Sequence, residues 1–118
     1  MDAAQLYSST LELLNATLLK MLSPEWDAKV QAASAEVRRQ ALVELLQVQR
    51  ARLVLGNAVL QDISRELKSN EQGLLDGQKN LSDTLASLAS VESVLNTIGS
   101  LISVVARIVP LLLTTCII

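Results

Sequence analysis

The sequence has no histidine and no phenylalanine, and only one cysteine, one tryptophan, one tyrosine, two prolines and four glycines in 118 residues. Without histidine there can be no imidazole general base, no Ser-His-Asp triad and no HExxH zinc site. A single cysteine, Cys116, excludes an internal disulfide and a structural cysteine cluster. It stands third from the end of the sequence and so does not match a prenylation site, which needs the fourth position. It reads as a buried thiol. No Walker A loop, dinucleotide-binding glycine fingerprint or EF-hand loop occurs. Asp62 and Glu66 fall one turn apart on a helix, where they read as solvated carboxylates paired with Arg65 or Lys68. These absences point away from an enzyme, a bound cofactor, a metal and a small-molecule substrate.

The scarcity of breakers and aromatics also limits the fold. Leu supplies 24 positions and Ala 13, and such a composition predicts an all-α chain whose core is built from aliphatic side chains. Half of the residues are hydrophobic and the mean hydropathy is +0.37. A chain of this length buries only about two-thirds of its unfolded surface, so apolar surface is left for a partner or for lipid. The net charge of −2 argues against nucleic acid, which selects a basic face. Arg38, Arg39, Arg50, Arg52, Arg65 and Lys68 are interleaved with Glu36, Glu44, Asp62 and Glu66 and read as a solvated helix face.

Three helical stretches are legible, as an elongated hairpin or a three-helix arrangement. The first covers 1–22, with Asp2 as cap and Leu6, Leu13, Leu14, Leu18, Met21 and Leu22 at helical spacing. Ser23-Pro24-Glu25-Trp26 is the clearest local signal. Ser23 suits an N-cap, Pro24 the first helical position, and Glu25 the positive end of the helix dipole. Trp26 is expected to staple this corner. The second stretch, 24–69, reads as one long amphipathic helix of about 65 Å. Val30, Ala33, Val37, Ala41, Leu45, Val48, Leu55 and Val59 mark its apolar side, and Leu42, Leu46, Leu53, Leu60, Ile63 and Leu67 widen it. Ser69 and Gln72 have the spacing of a capping box, and Gly73 and Gly77 follow around Asp76. A chain reversal is therefore expected between 69 and 82, with a continuous helix through this region, where Gly73 and Gly77 also match a small-xxx-small pattern, as the competing reading.

The third stretch, 80–118, is the most apolar. From residue 84 onward there are only two charges, Glu92 and Arg107. Leu81, Leu88, Val91, Leu95, Ile98, Ile102, Val105, Val109 and Leu112 follow a heptad seam interrupted only at Thr84, the pattern of a coiled coil or helical bundle. Val94, Leu101 and Ile108 widen this interaction seam. A polar side made of Ser93, Ser100, Ser103 and Arg107 lies opposite, together with Ser90, Asn96 and Thr97.

Between Val94 and Ile118, fourteen of 25 positions are Val, Leu or Ile. These favour insertion into a bilayer by roughly 4–8 kcal/mol, and Arg107 opposes it by about 2.5–3.5 kcal/mol. Asn96, Pro110 and the serines add to the opposition, so the balance is close to zero. Two readings follow. In the first, a non-catalytic helical protein oligomerises or binds other helices and anchors its C-terminal helix in a membrane, facing the cytosol. This layout, a helical part followed by an apolar segment, resembles that of tail-anchored proteins in architecture only. The cytosolic orientation rests on the first twenty residues, where Asp2 and Glu12 precede the first basic residue, Lys20, unlike a secretory signal. In the second reading the chain is a structural subunit of a soluble cytoplasmic helical-bundle complex.

Overall fold

A computed structural model describes residues 1–86 and 90–109. Those residues form six helices and no strand: α1 (Ala3–Met21), α2 (Pro24–Gln31), α3 (Ala35–Asn57), α4 (Leu60–Ser69), α5 (Glu71–Ala86) and α6 (Val91–Ile108). The protein is thus all-α and carries a long apolar helix in its C-terminal part. Leu112 and Cys116, and with them the last part of the apolar stretch, lie outside the described residues, as does Leu88.

The first two helix starts form where the local chemistry dictates. Asp2 accepts from the Gln5 N–H at 2.8 Å while the Gln5 side chain accepts from the Asp2 N–H at 2.9 Å, a reciprocal capping box. Ser23 Oγ accepts from the Trp26 N–H at 3.2 Å and donates to the Lys20 carbonyl at 2.7 Å. One hydroxyl therefore closes α1 and opens α2, and Trp26 is buried beside it.

The stretch expected as one helix over 24–69 is divided into α2, α3 and α4. Ser34 makes the first break, accepting from the Val37 N–H at 3.2 Å as the cap of α3. The second falls at Ala58 and Val59, which are both extended. There the Tyr7 hydroxyl reaches across from α1 to the carbonyls of Leu55 (3.0 Å) and Gly56 (3.2 Å). These carbonyls lie in the last turn of α3, where intrahelical partners run out, and Leu55 also accepts from the Ala58 N–H at 3.1 Å.

The reversal expected between 69 and 82 is replaced by helix. Only Asn70 separates α4 from α5, and the Leu74 N–H already bonds the Asn70 carbonyl at 2.9 Å. The expected box from Ser69 to Gln72 is not how α5 begins. Lys68 Nζ lies 2.7 Å from Glu71 and the Met1 ammonium 3.2 Å from the same carboxylate, pinning this corner to the start of α1. The Lys68 hydrogen bond, and then that of the ammonium, hold the Glu71 carboxyl below its ordinary value. Lys68 thus serves Glu71, not Glu66 as its spacing suggested.

Helix α1 packs against α3, α4 and α5, while α6 packs against α5, α3 and α4. The principal extents are 43 × 37 × 18 Å. The short dimension accommodates two layers of helices at the usual spacing of about 8–10 Å. One continuous aliphatic core runs from Leu6, Leu14 and Met21 of α1 to Val105 and Ile108 of α6. Thr10 and Thr17 also lie fully in it, each hydroxyl bonded at 2.7 Å to the carbonyl four residues earlier. Leu22, read as part of the apolar side of α1, is exposed.

Ser23→Ala removes the hydroxyl that serves both helices. It is expected to lower stability by about 0.5–2 kcal/mol, measured as a shift in the circular-dichroism melt. An unchanged melt would mean that the corner does not depend on its cap.

Candidate functional site: the sheathed C-terminal helix

The seam positions predicted along the third stretch are divided between two antiparallel helices. Leu81 sits on α5, and Val91, Leu95, Ile98, Ile102 and Val105 sit on α6, with Val109 at its C-cap. Ser90 accounts for the division. It caps α6, its side chain accepting from the Ser93 N–H at 3.2 Å. Glu92 occupies the first turn and Arg107 the last, so both charges of this region complement the helix dipole.

Apart from Val91, which is half-buried, all these α6 seam residues are buried, and so are the flanking Val94, Leu101 and Ile108. Within the chain the seam therefore faces the chain's own α3, α4 and α5.

Glycines set the α5–α6 distance. A Cβ on Gly77 would lie 3.0 Å from Leu101 Cδ1 and 3.7 Å from Leu101 Cα, and one on Gly73 would lie 3.3 Å from Val104 Cγ1. The Gly73–Gly77 spacing, which reads as a turn beside Asp76, is instead a small-residue face inside a helix. The pairs 73 with 104, 77 with 101 and 84 with 97 run in opposite directions, as an antiparallel hairpin requires. Toward the C-terminal end of α5 and the N-terminal half of α6 a polar crevice of about 380 Å³ is lined by Asn80, Asp83, Thr84, Asn96, Thr97 and Ser100.

The α3–α6 contact contains a carboxylate. A Cβ on Gly99 would meet Glu44 Oε2 at 3.3 Å. Burial raises the Glu44 carboxyl above its ordinary value of 4.5, so this packing favours the protonated form.

The predicted polar face is placed together. Ser93, Ser100, Ser103 and Arg107 are all exposed on one side of α6. Its hydroxyls turn back on the helix: Thr97 donates to the Ser93 carbonyl (2.8 Å), Ser100 to Asn96 (3.1 Å) and Ser103 to Gly99 (3.0 Å). These groups have their hydrogen bonds without water.

Among the described residues one helix, α6, is long and apolar enough to cross a membrane, with 18 residues at a mean hydropathy of 1.4. Its length is about 27 Å at 1.5 Å per residue, against a hydrocarbon thickness of about 30 Å. At its C-terminal end, Ile108 and Val109 meet Leu53, Val54, Val59 and Ile63 around an apolar groove of about 510 Å³. Among the described residues, no three His, Cys, Asp or Glu side chains gather as a metal site would need. Comparison with known proteins gives no match among family models, curated proteins or solved structures.

Two substitutions probe the sheath. Gly77→Leu drives a side chain against Leu101, whose Cδ1 a Cβ alone would already meet at 3.0 Å, and is expected to destabilise the fold by about 1–3 kcal/mol, read from denaturant unfolding. Glu44→Gln acts through pH. Because the folded state raises this carboxyl, its contribution to stability is complete below the ordinary value of 4.5 and is lost as pH rises through the raised value. Glu44→Gln should therefore raise the Tm at neutral pH and leave it unchanged below 4.5. An equal gain at every pH would show that ionisation is not involved.

Proposed function

We propose that this is a non-catalytic, membrane-associated helical protein in which α6 leaves the bundle and anchors in a bilayer, exchanging the chain's own helices for lipid and for other helices. The observation that supports this reading is the condition of α6 inside the fold. It is apolar along its length, and three hydroxyls on its polar side, those of Thr97, Ser100 and Ser103, are already bonded to its own backbone.

Moving such a helix from a protein core to lipid costs little in apolar contact, because acyl chains are as apolar as leucine. The back-bonded hydroxyls need no new partner in lipid. The main opposition comes from Glu92, Asn96 and Arg107. Glu92 and Arg107 lie in the end turns, where a long side chain can reach the interface. The departure of α6 would uncover Leu74 and Leu81 of α5 and Val48 and Ala51 of α3, all buried in the closed fold. Covering them is a reason for other copies or partner helices to join the inserted form.

A second reading has its own supporting observation. The apolar stripe of α6 is already buried against α3, α4 and α5, as suits a core helix of a soluble subunit. The two readings separate in one assay, carbonate extraction of the full chain after incubation with phospholipid vesicles. The membrane reading expects a carbonate-resistant fraction. Replacing the buried-charge penalty by an apolar gain, Arg107→Leu should increase that fraction in line with the roughly 2.5–3.5 kcal/mol ascribed to a central arginine, or less for one near the helix end. Complete extraction of both wild type and Arg107→Leu would leave the soluble-subunit reading in its place.

A further inference from the structure

Helix α3 has two apolar stripes on opposite sides, and the fold buries the one made of smaller residues. Val37, Ala41, Val48, Ala51 and Leu55 enter the core, while Leu42, Leu46 and Leu53 remain 58%, 57% and 57% exposed, with Val43 beside them at 46%. Leu42, Leu46 and Leu53 were expected to widen the buried side. Scattered surface leucines need no explanation, but these form a continuous stripe along one helix face.

The stripe has basic residues in register. Arg39, Leu42, Leu46, Arg50 and Leu53 follow one another at steps of three and four, so they share one side of α3. The acidic residues of α3 itself stand elsewhere, and two aspartates of the neighbouring helices lie at the ends of the stripe. Glu44 is turned to Gly99 of α6, Glu36 is in the first turn, and Asp27 and Asp62 lie beside Leu42 and Leu53 at the two ends. An apolar face with cationic positions along it is the pattern of a helix that lies in the plane of a bilayer, with leucines among the acyl chains and guanidinium groups among anionic headgroups.

From this charge complementarity we infer that the outer face of α3 is a docking surface for an anionic lipid bilayer, used by the closed bundle before α6 moves. It deepens the membrane reading and shares its premise that lipid is the partner. Docking through α3 needs no unfolding, is reversible and weakens with salt, since its charged part is screened. Insertion of α6 is neither.

The test is co-sedimentation of the full chain with phosphatidylcholine vesicles and with phosphatidylcholine–phosphatidylserine vesicles, followed by carbonate extraction of the pellet. Wild type should bind the anionic vesicles preferentially and be released by salt in the fraction not yet inserted. Arg39→Gln/Arg50→Gln should weaken that binding about 30-fold, from a factor of about five for each arginine at the surface. Leu42→Ser/Leu46→Ser should weaken it at least about tenfold. Circular-dichroism melts establish that each variant is folded, and the arginine pair keeps the test independent of the apolar one.

Equal binding of wild type and both variants overturns the α3 surface and leaves α6 anchoring standing if the pellet resists carbonate. Variant-sensitive binding without carbonate resistance supports the α3 surface and removes the insertion step. A wild type that binds neither vesicle overturns both. A dimer in sedimentation equilibrium that is lost in Leu42→Ser/Leu46→Ser, with no lipid binding, assigns the face to a second copy and overturns the lipid surface.

Discussion

The close approach of α5 and α6 at Gly73 and Gly77 is the constraint on which the arrangement rests. A helix as apolar as α6 must bury its stripe, and two helices come close enough to share one aliphatic core only where side chains are small. With Leu101 and Val104 seated against these glycines, α6 is positioned for α3 on another side. The chain has no phenylalanine to fill a wider gap, so the helices themselves must come together. That requirement also explains why α3 turns a mostly smaller stripe, Val37, Ala41, Val48 and Ala51 with Leu55, inward and leaves Leu42, Leu46 and Leu53 outside.

The same packing bears on function. The contacts holding α6 are mostly aliphatic and non-directional, with a Thr84–Thr97 side-chain hydrogen bond of 3.4 Å to α5, and no ion pair between it and the other helices is found among the described residues. Apolar contacts of this kind can be exchanged for lipid at small cost, whereas a hydrogen-bonded or ion-paired helix would have to lose specific partners. Glu44 adds a carboxylate that the closed fold prefers protonated. On the proposed reading the bundle would store an apolar helix in a form that a membrane can accept, and the outer face of α3 would bring the bundle to that membrane.

Some of this is legible from neighbouring residues alone. Asp2 with Gln5, and Ser23 with Pro24, announce helix starts because a cap is a contact within one turn. Ser34-Ala35-Glu36 and Ser90-Val91-Glu92 carry the same kind of signal, a capping serine followed by an acidic first turn. They pass unnoticed because the apolar periodicity runs through them without a proline to interrupt it. The heptad seam illustrates this: its spacing runs from Leu81 to Val109, yet its described residues belong to two antiparallel helices.

By itself the sequence determined the all-helical class, the aliphatic core, the Ser23 corner and the apolar character of residues 91–108. Each follows from composition or from contacts a few residues long. Tertiary structure alone decided the rest. Gly73 and Gly77 beside Asp76 suit a turn equally well until Leu101 and Val104 are placed against them. Thr10 and Thr17 look like surface positions until their hydroxyls are seen bonded to carbonyls one turn back. Tyr7 gains its role from the carbonyls of Leu55 and Gly56, about fifty residues away. Helix α3 offers two apolar stripes, and its local sequence does not rank them. The neighbouring helices select the smaller one because only that side allows α1 and α6 to approach, and the leucines that lose this competition form the exposed face.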